Sequence, residues 1–286
     1  MFEKVLFTTD FSEYARKTLD CLSDIPGVRE VVLLHVIDAS YPSKRGWTHG
    51  PAIANARIEL EEQKQRLEGQ GIRTNVRLEV ITGGDVAGAI LKAADEEGVT
   101  LILMGARGRG IVQGILLGSV SRSVLRYAKE HVLIMRHRVA EEIDDSRYEK
   151  FCPRILSKVL YPTDFSEPAQ GTVSRLRSTQ GIEKVVLAHV VTQGETQEEI
   201  QEYVSAARLK LEEIKKALEA EGIEVDIHVR LGSPSEEITL LAEEEDVSLI
   251  VMSRHGRGWL REMVLGSTTY LVAKRTKRPI LVVHQD

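Results

Sequence analysis

The chain is written twice. VLFTTDFSE, Val5 to Glu13, returns as VLYPTDFSE, Val159 to Glu167, so that Asp10 and Asp164 stand 154 residues apart. VVLLHV at 31–36 returns as VVLAHV at 185–190 with the same offset. LILMGARGRG at 101–110 matches LIVMSRHGRG at 249–258, now 148 residues apart, and LLGS (116–119) against VLGS (264–267) keeps the shorter spacing. An internal repeat of this length means that one folding unit is duplicated, with about six residues lost from the middle of the second copy. The expected organisation is one domain over 1–137, a charged linker over 138–153 containing EEIDDSRYEK, and a second domain over 154–286.

Within each copy short β-branched runs alternate with stretches of helical periodicity. In the first copy the strands are expected near 3–9, 30–37, 74–81, 100–105 and 131–136. The helices are expected over Ile53–Gln70, Val86–Glu97 behind an Asp85 cap, and Val120–Lys129. Runs that are apolar throughout suit strands covered on both faces, hence a doubly wound parallel α/β sheet with right-handed crossovers. Ligands of such sheets sit beyond the carboxyl ends of the strands, where the strand order reverses. Residues following strands one, two and four therefore carry the expectation of function.

Asp10 follows strand one, and Asp164 repeats it. A carboxylate there either caps the next helix or accepts from a ligand hydroxyl pair such as a ribose. After strand four come Gly105, Gly108 and Gly110, then Gly118-Ser119-Val120-Ser121. Glycines let the backbone reach a ligand closely and adopt positive φ, successive amides there would form an anion nest, and a helix opening at Gly118-Ser119 favours phosphate. Ser119 and Ser121 add hydroxyls. His35 and His189 end the second strand of each copy, where a backbone-satisfied histidine is expected over a general base. Arg107, Arg109, Arg254 and Arg257 are phosphate partners or solvated side chains. Lys274, Arg275, Lys277 and Arg278 suit a helix C-terminus. The segment 39–52, with Tyr41, Pro42, Trp47 and Pro51, is expected to be a loop at the site mouth.

Other chemistries lack their signatures. The sequence contains no P-loop, no G-x-G-x-x-G after strand one, no H-E-x-x-H or C-x-x-C, and no G-x-S-x-G. The net charge of -5 argues against a broad nucleic-acid grip. No apolar run approaches the roughly 20 residues that span a bilayer. Cys21 and Cys152 are too few for a disulfide framework, so each is expected as a small buried hydrophobe in a reducing cytoplasm. Asparagine occurs only at positions 55 and 75 while Glu, Lys and Arg are abundant, a bias that suits growth at high temperature.

The duplicated pattern resembles the universal stress proteins in their tandem two-domain form. Gly105, Gly108, Gly118 and Ser119 match the Gly-x2-Gly-x9-Gly-[Ser/Thr] motif of the family's ATP-binding subset. The resemblance implies two five-stranded domains of the adenine-nucleotide α-hydrolase-like fold, strand order 3-2-1-4-5. It implies adenine nucleotide, ATP or AMP with ADP also admitted, and leaves Mg²⁺ open. Asp10 would hold the ribose and the Val36 backbone the adenine edge. Gly105, Arg107, Gly108, Gly118, Ser119, Val120 and Ser121 would surround the phosphates, with Thr8, Thr9 and Met104 lining the pocket. In the second copy the corresponding positions are Pro162, Thr163, Asp164, Val190, Met252, Gly256, Gly266, Ser267 and Thr268. There Ser253 replaces the first glycine, and the second site is expected to bind more weakly because a Cβ would penalise a positive-φ turn. His131 stands where the family has a proline, as at Pro279. The expected function is a nucleotide-binding stress module, with slow ATPase or nucleotidyl transferase as the alternative. Binding is favoured over turnover because residues 105–121 contain no Asp or Glu. An apolar edge strand seeks a partner, so the two domains are expected to pair through strand five, as the family commonly does, and two tandem chains to associate as a homodimer.

Overall fold

The computed structural model describes residues 2–40, 49–107, 117–136, 138–139, 148–149, 155–194, 196–256 and 265–284. The chain divides into two compact units, Met1–Met135 and Arg136–Asp286.

In the first unit the strands are β1 (Lys4–Thr8), β2 (Glu30–Asp38), β3 (Arg73–Ile81), β4 (Leu101–Gly105) and β5 (His131–Met135). They pair in parallel in the order β3-β2-β1-β4-β5. The helices are α1 (Glu13–Leu19), α2 (Gly50–Glu68), α3 (Val86–Glu97) and α4 (Ser119–Tyr127). Val5, Leu6, Phe7 and Leu101–Met104 are buried in succession, so side chains on both faces of the central strands are covered. Asp85 caps α3 as expected, accepting from the Gly88 amide at 2.8 Å, and Gly98 ends the helix with φ of 58°. α2 begins at Gly50, earlier than periodicity suggests, because Pro51 occupies its first turn, where a missing N–H costs nothing. Residues 41–48 of the expected mouth loop, Trp47 among them, lie outside the described residues.

A short antiparallel pair, β6 (Arg138–Val139) and β7 (Tyr148–Glu149), falls within the expected linker. The second unit repeats the topology. Its strands β8 (Lys158–Pro162), β9 (Lys184–Val191), β10 (Glu224–Leu231), β11 (Leu249–Ser253) and β12 (Ile280–Val283) take the parallel order β10-β9-β8-β11-β12. Helices α5 (Glu167–Ser178), α6 (Gln197–Glu219), α7 (Pro234–Glu244) and α8 (Ser267–Arg275) complete it. Among the described residues no helix is long and apolar enough to cross a membrane.

Cys21 is fully buried and its sulfur is in a disulfide. The burial fits the expected small hydrophobe, while the disulfide corrects the inference of a reducing compartment from so few cysteines. The chain's other cysteine, Cys152, lies outside the described residues. The cysteine count therefore says nothing about compartment.

Candidate functional site

In both units the order of the sheet reverses beside the first strand, between β1 and β4 and between β8 and β11. The loops leaving those strands meet at the carboxyl rim. The loops after β1 and β8 begin with the same strained turn. Phe11 and Phe165 both have φ of 61°, a left-handed conformation that costs a bulky residue about 1 kcal/mol or more. Local bonds hold it. Thr9 Oγ1 accepts from the Phe11 amide at 3.1 Å, and Thr163 Oγ1 from the Phe165 amide at 3.0 Å. Asp10 Oδ1 accepts from the Ser12 amide at 3.0 Å; Asp164 Oδ1 accepts from the Ser166 amide at 3.0 Å and the Ser166 hydroxyl at 2.5 Å.

The helix caps are Ser12 and Ser166, which accept from the amides of Ala15 and Ala169. Asp10 is therefore not the cap of α1. It braces the turn with one oxygen, and its other oxygen, Oδ2, is buried with no hydrogen-bond partner. A buried carboxyl oxygen left so is costly unless something donates to it.

The histidines behave as expected. His35 Nδ1 donates to the Thr9 carbonyl and His189 Nδ1 to the Thr163 carbonyl, both at 2.7 Å. Since a carbonyl only accepts, the proton sits on Nδ1 in each. Each ring lies against the strained phenylalanine, at centroid separations of 4.3 Å for Phe11–His35 and 4.6 Å for Phe165–His189.

The glycines depart from one part of the expectation, the positive φ. None of Gly105, Gly118, Gly256 and Gly266 has positive φ. They are needed for close approach. A Cβ on Gly105 would lie 3.2 Å from the Arg107 carbonyl oxygen, and one on Gly118 3.4 Å from that of Ala106. In the second unit a Cβ on Gly266 would lie 3.1 Å from the Arg254 carbonyl oxygen, and one on Gly256 only 2.4 Å from Asp164 Oδ2. The strand-four end and the helix start are joined directly, by Gly118 N–H to the Ala106 carbonyl at 2.8 Å and Gly266 N–H to that of Arg254 at 2.9 Å. Ser121 Oγ donates to the Gly105 carbonyl at 3.0 Å, so its proton is committed within the protein. Neither α4 nor α8 has a side-chain cap, which leaves their first amides directed at the rim.

Ser253 overturns the expected penalty. It lacks positive φ, and its Oγ is 3.2 Å from Thr172 Oγ1 on α5, in buried surroundings. Its Cβ is accommodated by the fold.

In the second unit these parts enclose a cavity of about 650 Å³. The wall includes Pro162, Thr163, Asp164, Val190, Met252, Ser253, Gly256, Gly266, Ser267 and Thr268, the full candidate set of that copy. Residues without a motif complete it: Gln193 after β9, Tyr203, Ala206 and Lys210 on α6, and Pro234 and Ile238 on α7. Lys210 Nζ stands 5.3 Å from the centre of the Phe165 ring. Their helical spacing on α6 places them on one face, a signal indistinguishable in sequence from an ordinary half-buried helix. His255 also lines the cavity, and burial, with Arg254 and His284 nearby, lowers its imidazole below the ordinary range.

In the first unit Thr8, Thr9, Asp10, Val36, Met104, Gly105 and Arg107 occupy the ends of β1, β2 and β4, while Gly118, Ser119, Val120 and Ser121 open α4. Gly108 and Arg109 lie outside the described residues, as does Arg257. Among the described residues no group of His, Cys, Asp and Glu could hold a metal ion.

Fold and rim together define an α/β protein whose two units repeat one parallel strand order, with a candidate site in each. The model of the universal stress protein family matches residues 1–136 and 156–284, and the chain belongs to that family. A universal stress protein of Methanocaldococcus jannaschii is 35% identical over 151 residues, covering 44% of this chain and 93% of its own length. One from Mycolicibacterium smegmatis is 28% identical over 274 residues, 88% of this chain and 86% of its own. The crystal structure of a universal stress protein from Archaeoglobus fulgidus covers 99% of this chain and 96% of its own, with a TM-score of 0.71 and 28% identity.

Proposed function

We propose that the chain is a nucleotide-binding stress module whose two domains, each a discrete doubly wound unit of the adenine-nucleotide α-hydrolase-like fold, bind adenine nucleotide at the rim of the sheet. The observation that carries this is the 650 Å³ cavity of the second unit, whose wall combines a carboxylate, a glycine turn and an uncapped helix start. Its size suits a ligand of this class. Val190, Met252 and Ile238 supply apolar surface for a base. Gly266, Ser267 and Thr268 offer amides and hydroxyls at the positive end of α8, where phosphate is favoured. In the first unit the unpartnered Asp10 Oδ2 calls for a donor, and a ribose hydroxyl is one. We assign phosphate contacts there to Gly105, Arg107, Gly108, Gly118 and Ser119.

Mass identification of the nucleotide released from the purified, denatured protein tests the reading. Calorimetric titration with ATP, ADP and AMP then ranks the ligands. Adenine nucleotide bound near two per chain is expected; a protein that neither carries nor takes up any would overturn it. Incubation with Mg-ATP tests for turnover, and intact bound ATP is the expected result. Sedimentation tests the homodimer inferred from the family.

A further inference from the structure

The two sites differ beneath the floor. In the second unit Tyr161 is fully buried and its phenol donates to the Ala169 carbonyl at 2.5 Å. Thr172, also fully buried, donates to the Pro168 carbonyl at 3.3 Å. With the Thr172 proton spent there, Ser253 Oγ is the donor in the 3.2 Å contact to Thr172 Oγ1. Thr163, Ser253 and Thr172 lie beside the Tyr161 phenol, whose proton burial holds more tightly than in an ordinary tyrosine. On the other side, Thr269 Oγ1 of α8 donates to the Ser253 carbonyl at 2.9 Å. Ser253 is thus fastened to α5 by its side chain and to α8 by its backbone.

The first unit keeps only half of this. Ser121 makes the backbone link to Gly105, but Phe7 stands in place of Tyr161 and Gly105 in place of Ser253. Thr18, the counterpart of Thr172, donates to the Tyr14 carbonyl of its own helix at 2.9 Å. The two hydroxyls that distinguish the second unit are changed together, as members of one cluster would be.

We infer that Ser253 is a positioning residue of the second site: its hydroxyl, seated on Thr172 beside Tyr161, fixes the end of β11 and hence Gly256 and Gly266 in the cavity wall. The inference rests on the reading of this cavity as a nucleotide site for its effect on affinity, but not for its effect on the ligand-free protein. It reverses the steric expectation that a glycine at 253 would improve binding.

The test uses the full chain with Ser253→Ala, Ser253→Gly and Tyr161→Phe, in an Asp10→Ala background that silences the first site. Hydrogen exchange is followed without ligand at the Arg254 and Gly266 amides, which bond to the carbonyls of Val283 and Arg254. AMP affinity is measured by calorimetry. Loss of one buried hydrogen bond predicts about fivefold faster exchange and about fivefold weaker AMP binding in both Ser253 variants. Tyr161→Phe tests the far end of the cluster and is expected to act in the same direction. A general loss of stability would speed exchange throughout the second unit, whereas positioning confines it to the amides beside Ser253 and at the start of α8. Parent-like exchange and affinity in Ser253→Ala, or tighter AMP binding in Ser253→Gly, would overturn the inference. If the second site of the parent takes no AMP, the functional reading of this cavity fails, and the exchange data alone decide whether Ser253 positions the cavity wall.

Discussion

Gly256→Ala puts one methyl group where the second site is most tightly built. The new Cβ would stand 2.4 Å from Asp164 Oδ2, about 1 Å inside ordinary contact, so one of the two must move. The carboxylate is the end of a short side chain, but Ser166 holds its other oxygen with an amide and a hydroxyl, at 3.0 and 2.5 Å. Displacing it loosens those bonds and withdraws Oδ2 from the ligand. A hydrogen bond to a charged group contributes about 1.5–3 kcal/mol, so nucleotide affinity at the second site should fall about tenfold to 150-fold. The fold should not suffer equally, because Gly256 lacks positive φ and alanine restricts the unfolded chain. The assay is a double-mutant cycle of Gly256→Ala and Asp164→Ala, read by calorimetry with AMP and by the denaturant midpoint. If the methyl acts through the carboxylate, the second substitution adds nothing to the first. Unchanged affinity in Gly256→Ala, or two losses that simply add, would refute the reasoning.

Asp10→Ala gives up the Ser12 bond but also removes a buried oxygen that lacks a partner, and the two offset, so ligand-free stability should stay within about 1 kcal/mol of the parent while nucleotide binding at the first site drops at least tenfold, as stability and titration measured side by side will tell. Arg278 is only 3% exposed and bonds Glu243, Asp246 and the Val247 carbonyl. Arg278→Ala should destabilise the second unit by about 2–3 kcal/mol in chemical unfolding, at the low end for a buried pair because its carboxylate partners are partly exposed. His255 has a lowered imidazole pKa in the folded state, so its neutral form is favoured there and the unfolded state binds the extra proton first. Its contribution is complete above an unfolded-state value of about 6.5 and is lost as pH falls below it. Replacing His255 with Gln should flatten that part of the stability profile; an unaltered slope would show that the titration lies elsewhere.

The repeat, the alternation of strand and helix, and the strand order were legible in the chain itself, because hydrophobic periodicity and duplication are local properties. The same topology singles out the candidate site, since in an open parallel sheet ligands sit at the reversal of strand order. Asp85 capping α3 and His35 satisfied by backbone followed from the same local chemistry. What the glycines are for did not follow. Both positive φ and close approach demand glycine, and only the packed structure, with carbonyls of Arg107 and Arg254 and the Asp164 carboxylate pressed against the missing Cβ positions, distinguishes them. Asp10 likewise looked like a cap, because cap and brace differ by two residues of backbone and a left-handed Phe11 that no propensity would suggest. Ser253 looked like a defect in a motif; its partners Tyr161 and Thr172 lie 92 and 81 positions back in the chain and meet it only once β8, α5 and β11 pack together. The sequence by itself determines which residues reach the rim. Contacts between distant segments, set by packing, determine what each one does there.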